Sequence, residues 1–264
     1  MPETRPIEGQ SWERWLHEIR RFEFERTMEH VPLGRTAAVL ELGSGDGYQL
    51  GLLRERFERV FAIDPERRPS RTAGFAFAVA EALPFPDCSF DLVISCCVTE
   101  HLVDRKRAME EAVRVLKSGG YMAHIVPLPF WKAASLLLNP VGYPIRVWEK
   151  WRALRKIERE QEKSARETVA RIEPPGALRV LGRWFYPPIH GTYPSHYAEY
   201  KSYARERWLE MFAHPRLAPV AELPLVAYTQ FGLLRFCLLP LRARLARHGL
   251  ASSRAFILRK TDVA

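Results

Sequence analysis

Val39-Leu40-Glu41-Leu42-Gly43-Ser44-Gly45-Asp46-Gly47-Tyr48-Gln49-Leu50 is the stretch that sets the fold. Apolar β-formers run up to Glu41, glycines follow at alternate positions, and Leu50, Leu53 and Phe57 then recur at helical spacing. The pattern predicts a strand, a tight turn and a helix. Glycine tolerates positive φ and has no Cβ, so such a turn lets the backbone approach a ligand while the amides opening the helix point at it. Turns of this kind also serve as plain packing devices, so the stretch needs company before it specifies a ligand.

Arg59-Val60-Phe61-Ala62-Ile63-Asp64 is that company. It predicts a second short strand ending in a carboxylate, placed where an α/β crevice presents it to a ribose diol. The glycine spacing separates two chemistries. A dinucleotide site wants G-x-G-x-x-G, but here the third glycine is Gly47 and position 48 is tyrosine, which argues against hydride transfer.

With the blocks that follow, the chain resembles the class I S-adenosylmethionine-dependent methyltransferases, closest to the broad type 11 methyltransferase group. The resemblance rests on Glu41 to Gly47, on Asp64, on Leu83-Pro84-Phe85-Pro86-Asp87-Cys88-Ser89-Phe90-Asp91-Leu92-Val93, on Glu100-His101 and on Arg114-Val115-Leu116-Lys117-Ser118-Gly119-Gly120. It implies an α/β fold with a Rossmann-like, seven-stranded, mostly parallel sheet, helices on both faces and a helical insertion after the fifth strand. It also implies S-adenosyl-L-methionine as cofactor. Glu41, Gly43, Ser44, Gly45 and Gly47 would hold its methionine end, Asp64 the ribose, and Glu81, Ala82 and Leu83 would border the adenine. Thr99 to His101 would face the methyl group. Family members usually carry an acid four places before the Leu-Pro-Phe triplet, where this chain has Val79; Glu81 or the backbone of 80–82 is left to substitute, unless Glu81 faces solvent.

The organisation that follows is an N-terminal helical segment (1–35), a cofactor-binding core (36–127), a substrate-side insertion (128–194) and a C-terminal part of the core (195–264). The 264 residues suffice for one α/β core with an insertion, and 47% hydrophobic content supports a packed interior. The N-terminus lacks the apolar core of a signal peptide, and no uncharged apolar run has the length of a membrane span. The four cysteines show no metal spacing, and no metal is expected. A cytoplasmic protein, soluble or peripheral to a membrane, is the expectation. The net charge of +9 attracts anions, whether nucleic acid, anionic lipid or a phosphorylated substrate, and does not choose among them.

Trp12, Trp15, Leu16, Ile19 and Phe22 predict one apolar stripe on a helix from Ser11 to Glu29. The prolines of the basic segment 65–72 shorten or break any helix there. Third and fourth strands are expected over 75–80 and 89–97, with Cys96 and Cys97 as buried thiols in the latter. Asp104 caps a helix that runs to the Gly119-Gly120 pair, and 121–126 form the fifth strand. Beyond Pro127 the family pattern is lost. A long basic helix is expected over 146–171, an aromatic, proline-rich loop over 182–194, one helix over 195–212, and last strands over 220–229 and 254–259, the final one antiparallel. The run 231–247, apolar and then basic, suits a membrane interface or packing against the insertion.

His101 is the candidate catalytic residue, since a histidine beside the methyl donor can take a proton from a hydroxyl nucleophile, or simply pack. Trp131, His190, Tyr193 and His196 are candidate substrate contacts. The aromatic insertion favours a small or lipid-linked acceptor methylated on oxygen or carbon. Methylation of RNA, and a non-catalytic S-adenosylmethionine-binding partner subunit, are the alternatives.

Overall fold

The computed structural model describes residues 11–66, 74–164, 189–190, 193–229 and 239–261. Helix α1, Ser11–Met28, precedes strand β1, Ala38–Leu42, all five residues of which are buried. Gly47, at φ 83°, opens helix α2, Tyr48–Arg56, and strand β2 follows over Arg59–Asp64. Strands β3, Phe75–Phe77, and β4, Phe90–Cys96, lead to helix α3, Arg105–Val115, whose cap Asp104 accepts from the Arg107 amide at 2.9 Å. Strand β5, Leu116–Pro127, and helix α4, Pro129–Ser164, complete the first part. After them come helices α5, His196–Ser202, and α6, Arg205–Phe212, strand β6, Leu217–Pro224, helix α7, Leu239–Leu245, and strand β7, Ser253–Lys260.

The strands form one seven-stranded sheet in the order β3-β2-β1-β4-β5-β7-β6. All neighbours pair in parallel except β7, which runs antiparallel to both β5 and β6. Strand alternation divides the core into two layers. Val39, Ala62, Leu92, Ile94, Ile125 and Ile257 face Trp15 and Ile19 of α1 and Leu50 and Leu53 of α2. Leu40, Leu42, Val93, Met122 and Phe256 face Met109, Ala112 and Val113 of α3 and Trp208 and Phe212 of α6. Each large apolar side chain so buried contributes about 1.5–3 kcal/mol.

Several boundaries differ from those the sequence suggests. Helix α3 ends at Val115, before the Gly119-Gly120 pair, because Lys260 of β7 donates to the Val113 and Leu116 carbonyls at 2.8 and 2.5 Å and so closes the helix end. The glycines instead sit inside β5. Phe90 pairs with Leu116 and Leu92 with Tyr121, so β5 bulges between them. Gly119 takes φ 73°, and a Cβ on Gly120 would meet the Lys117 carbonyl oxygen at 2.9 Å. The third strand stops at Phe77, and β6 runs from Leu217 to Pro224 with its register shift beside Pro219, a residue tolerated because β6 is an edge strand.

The single helix expected over 195–212 is two. Tyr203 and Trp208 are both fully buried, and on one straight helix residues five apart would point about 140° from each other. A break at Ala204, which is extended at ψ 140°, lets both reach the core. The helix of the insertion starts earlier than its charged stretch. Pro129 occupies the first helical position, where a missing N–H costs nothing, and the helix continues through Pro140 and Pro144. Its last expected part, 165–171, lies outside the described residues, as do 67–72 of the basic segment, most of the loop 182–194, and 231–238. Among the described residues no helix is long and apolar enough to cross a membrane.

Trp208 also donates from its indole nitrogen to the Pro127 carbonyl at 3.0 Å, tying α6 to the end of β5. Trp208→Ala should lower the free energy of unfolding in urea by about 3–5 kcal/mol. Trp208→Phe, which loses mainly the hydrogen bond, should cost about 1 kcal/mol. Equal losses would mean that packing at this site is negligible.

Candidate functional site

In the register of the central strands Leu42 lies opposite both Ile63 and Ser95. The glycine turn, Asp64 and the segment after Cys96 therefore leave the sheet along one edge, the carboxyl end of parallel strands where α/β sheets bind ligands. Gly43, Gly45 and Gly47 all have positive φ, of 70, 53 and 83°. The amides of Gly43 and Ser44 donate to the Ile63 carbonyl at 2.9 and 3.1 Å, and that of Gly45 donates to Asp64 Oδ2 at 2.9 Å. A Cβ on Gly43 would lie 2.5 Å from Val98 Cγ2, whereas one on Gly45 or Gly47 would meet nothing within 4 Å. The first glycine thus admits Val98, and the other two border open space.

Helix α1 is docked on this turn. Asp46 accepts from the Tyr48 amide at 3.0 Å and lies 3.1 Å from His17 Nε2, and the His17 ring stacks on Tyr48 at 3.9 Å. Glu41, at the end of β1, is buried, and its Oε2 has no hydrogen-bond partner. Burial first, and then the nearby Asp46 and Asp64 carboxylates, push its pKa up to about 8. Asp64 is buried too, and accepts from the Gly45 and Glu66 amides at 2.9 Å each. Each of its oxygens keeps a second lone pair for a hydroxyl donor.

On the adenine side, Leu83 is buried and its backbone is fully engaged. Its amide donates to Glu111 Oε2 at 2.9 Å and its carbonyl accepts from Arg114 at 3.0 Å. Arg114 also donates to the Phe85 carbonyl at 2.8 Å and pairs with Asp87, so α3 holds the whole Leu83 to Asp87 segment in place. Hydrogen bonds from Arg114 hold the Glu111 carboxyl below its ordinary range. Glu81 Oε1 accepts from the Val103 and Asp104 amides at 3.1 and 3.3 Å, while Ala82 donates its amide to the Val79 carbonyl at 3.2 Å.

Beyond β4 the chain turns sharply. Cys97, expected inside the strand, lies just past it in the left-handed region at φ 53°, a conformation that costs a non-glycine residue roughly 1–2 kcal/mol. Strain of that kind gathers at functional sites. A hydrogen bond from Cys96, helped by the charge of Arg20, lowers the Cys97 thiol pKa to about 7. A single 3₁₀ turn, Thr99–His101, follows. Thr99 is buried with its hydroxyl unpartnered, and Glu100 is buried with Oε2 unpartnered. Burial lowers the His101 pKa, so the imidazole is neutral at neutral pH and able to accept a proton.

Opposite this turn stand the candidate substrate residues. The His190 ring lies 4.6 Å from that of His101 and 5.4 Å from that of Trp131, so the three form one row. Behind them Lys132 and Glu199, both buried, pair at 2.6 Å. Glu199 also accepts from the His190 amide at 3.2 Å and the Tyr203 hydroxyl at 3.3 Å, and His196 Nδ1 is 3.8 Å from it. His196 therefore stands behind the wall, against Glu199. Tyr193 bonds through its hydroxyl to Arg105, whose guanidinium lies over the Tyr193 and Trp208 rings at 5.7 and 5.6 Å. Lys132, Glu199, Arg105 and Glu111 carry no local motif, whereas Arg114 opens the block that runs to Gly120. They position the site through pairings between distant segments, which spacing in sequence does not disclose.

Residues 40–124 match a family model described as a methyltransferase domain. The malonyl-[acyl-carrier protein] O-methyltransferase of Marinomonas sp. (strain MWYL1) is 34% identical over 110 residues, which is 37% of this chain and 41% of that protein. The chain thus covers less than two thirds of that relative's length. Two solved structures share the fold. An S-adenosylmethionine-dependent methyltransferase from Mesorhizobium loti superposes with a TM-score of 0.52 at 15% identity, over 90% of this chain and 97% of that one. Geranyl diphosphate C-methyltransferase from Streptomyces coelicolor A3(2), in complex with Mg2+, geranyl diphosphate and S-adenosyl-L-homocysteine, gives 0.52 at 16% identity, over 98% and 86%.

The residues present fit S-adenosylmethionine. Open space borders Gly45 and Gly47, and the buried Glu41 and Thr99 each keep a polar atom without a partner.

The Glu41 carboxyl sets a pH dependence. Its pKa is raised from 4.5 to about 8, so the native state holds a proton that the unfolded chain releases. The stability it contributes is complete below about pH 4.5 and is lost as pH rises to about 8. Glu41→Gln, which cannot ionise, should gain in thermal midpoint over the ligand-free wild type steadily across that interval and no further above it. A difference independent of pH would mean that Glu41 is already ionised at neutral pH.

Proposed function

The chain belongs to the class I S-adenosylmethionine-dependent methyltransferases, in the type 11 group, and from that premise we propose that it methylates a small or lipid-linked acceptor on oxygen or carbon. The observation that carries this reading is the aromatic row of Trp131, His190 and His101 set against the turn that follows β4. When bound, the cofactor would supply an activated methyl group on its sulfonium, with the sulfur as leaving group.

The chain's own residues have three tasks. Glu41, Asp64 and the glycine turn hold and orient, with Glu81, Ala82 and Leu83 as the adenine border. Thr99 and the ring row exclude water and align the acceptor, a contribution worth on the order of 7–11 kcal/mol of a barrier when alignment is good. His101, neutral at neutral pH, takes the proton that an oxygen acceptor gives up.

Helix α4 supports the lipid-linked class. Its polarity is inverted: Lys132, Ser135 and Asn139 are buried at helical spacing, while Leu137, Val141 and Trp148 are 79, 59 and 53% exposed along another stripe. An exposed apolar stripe on the helix that carries Trp131 offers a surface on which a hydrocarbon tail can lie.

Asp64→Ala should weaken S-adenosylmethionine binding by at least about 10-fold, since a charged hydrogen bond is worth roughly 1.5–3 kcal/mol. Unchanged affinity in a folded variant would sink the ribose assignment. For the activity, release of S-adenosylhomocysteine should rise when lipid extract is added to protein and S-adenosylmethionine. Methyl incorporation into RNA instead, with RNA binding that falls steeply with salt, would reverse the ranking of acceptors. Tight cofactor binding with no release on any extract would favour a non-catalytic partner subunit.

A further inference from the structure

Glu100, His101 and His190 each offer one ligating atom, and these atoms all lie within 4.8 Å of one another. Glu100 Oε1 is 3.9 Å from His190 Nε2, and the two rings meet edge to face at 4.6 Å. Three ligands about 2.0–2.1 Å from a tetrahedral ion would stand about 3.3 Å apart, so closure around a cation needs only small side-chain rotations. A second observation is independent of the clustering. Glu100 is 1% exposed, and its Oε2 has no hydrogen-bond partner. A buried carboxyl in that condition stays neutral by holding its proton unless a cation arrives to take the proton's place.

Among the described residues, the cations already in the neighbourhood are committed elsewhere. Arg20 pairs with Glu23 at 2.7 Å, Lys132 with Glu199 at 2.6 Å, and Arg105 bonds to the Tyr193 hydroxyl and, at 3.4 Å, to the Glu100 carbonyl rather than its carboxylate. The side chain that reaches Glu100 across the cleft is His190, an imidazole and a metal ligand in its neutral form.

We propose that Glu100, His101 and His190 bind a divalent cation at the acceptor end of the cleft. Two imidazoles and one carboxylate select the zinc, cobalt, manganese and ferrous class rather than magnesium or calcium, which prefer all-oxygen shells. Three protein ligands leave coordination positions open, the arrangement of a catalytic rather than a structural ion. His190 is 45% exposed on its side chain, so the open positions face the cleft, where an acceptor oxygen would enter. The ion would hold that oxygen toward the methyl group and lower its pKa, so that with the ion bound the acceptor's proton goes to solvent, and His101 acts as its base only in the metal-free protein. This role rests on the methyl-transfer reading; binding of the ion does not.

The test is titration of the purified full chain with Co2+, followed by visible ligand-field absorption, with S-adenosylhomocysteine affinity measured calorimetrically on the same preparation. The expected result is a saturable one-to-one spectrum that excess Mg2+ does not erase. Glu100→Gln and His190→Ala should each weaken it at least about 10-fold, the loss that even outer partners of such sites cause. His190→Ala should keep its affinity for S-adenosylhomocysteine, and His248→Ala, which is not a member of the cluster, should bind Co2+ as the wild type does. A wild type that binds S-adenosylhomocysteine but takes up no more Co2+ than the Glu100→Gln variant overturns the cation site alone. Co2+ binding at this cluster without S-adenosylhomocysteine binding upholds the site and overturns the cofactor reading instead.

Discussion

The parallel register of β1, β2 and β4 is the constraint on which the rest depends. Leu42 is level with Ile63 on one side and Ser95 on the other, so three chain segments leave the sheet at the same height. The turn after β1 contributes glycines with positive φ, β2 ends on Asp64, and β4 ends on Cys96 and leads into a strained Cys97 before Thr99. A slip of one residue in either pairing would turn Glu41 or Asp64 to the other face of the sheet. The two apolar layers fix that register, since each face of β1, β2 and β4 is covered by its own helices.

Around this edge the protein spends stability on polar groups placed in the interior. Glu41, Thr99 and Glu100 are buried with polar atoms unsatisfied, whereas the Lys132–Glu199 pair is satisfied by the His190 amide and the Tyr203 hydroxyl. The Lys132–Glu199 pair and its partners hold α4, α5 and the 189–190 segment together as a wall, while Glu41, Thr99 and Glu100 keep polar atoms that the proposed ligands would satisfy. Burial also keeps His101 and His190 neutral, the state in which an imidazole accepts a proton or binds a metal ion.

What the sequence discloses and what it hides divide along the same line. The glycine turn, Asp64, the Asp104 cap and the stripe of Trp15 and Ile19 are local patterns, set by backbone sterics and strand or helix period, and the structure has each where spacing predicts it. The end of α3 was hidden because Lys260, from the far end of the chain, closes it. The break at Ala204 was hidden because it answers to the burial of Tyr203 and Trp208, a tertiary demand. Within the site, the ring row of Trp131, His190 and His101 is assembled from three segments, so sequence could nominate its members but not their meeting. The supporting pair of Lys132 and Glu199 had no signal at all, since a lysine and a glutamate on separate helices look like ordinary surface residues.

The edge formed by β1, β2 and β4 is proposed to hold a sulfonium nucleoside and not a dinucleotide. Isothermal calorimetry on the purified protein, with S-adenosylmethionine, S-adenosylhomocysteine and NADH titrated in turn, tests this. Saturable micromolar binding of both sulfur ligands and none of NADH is the expected result. Binding of NADH, or of none of the three, would contradict it.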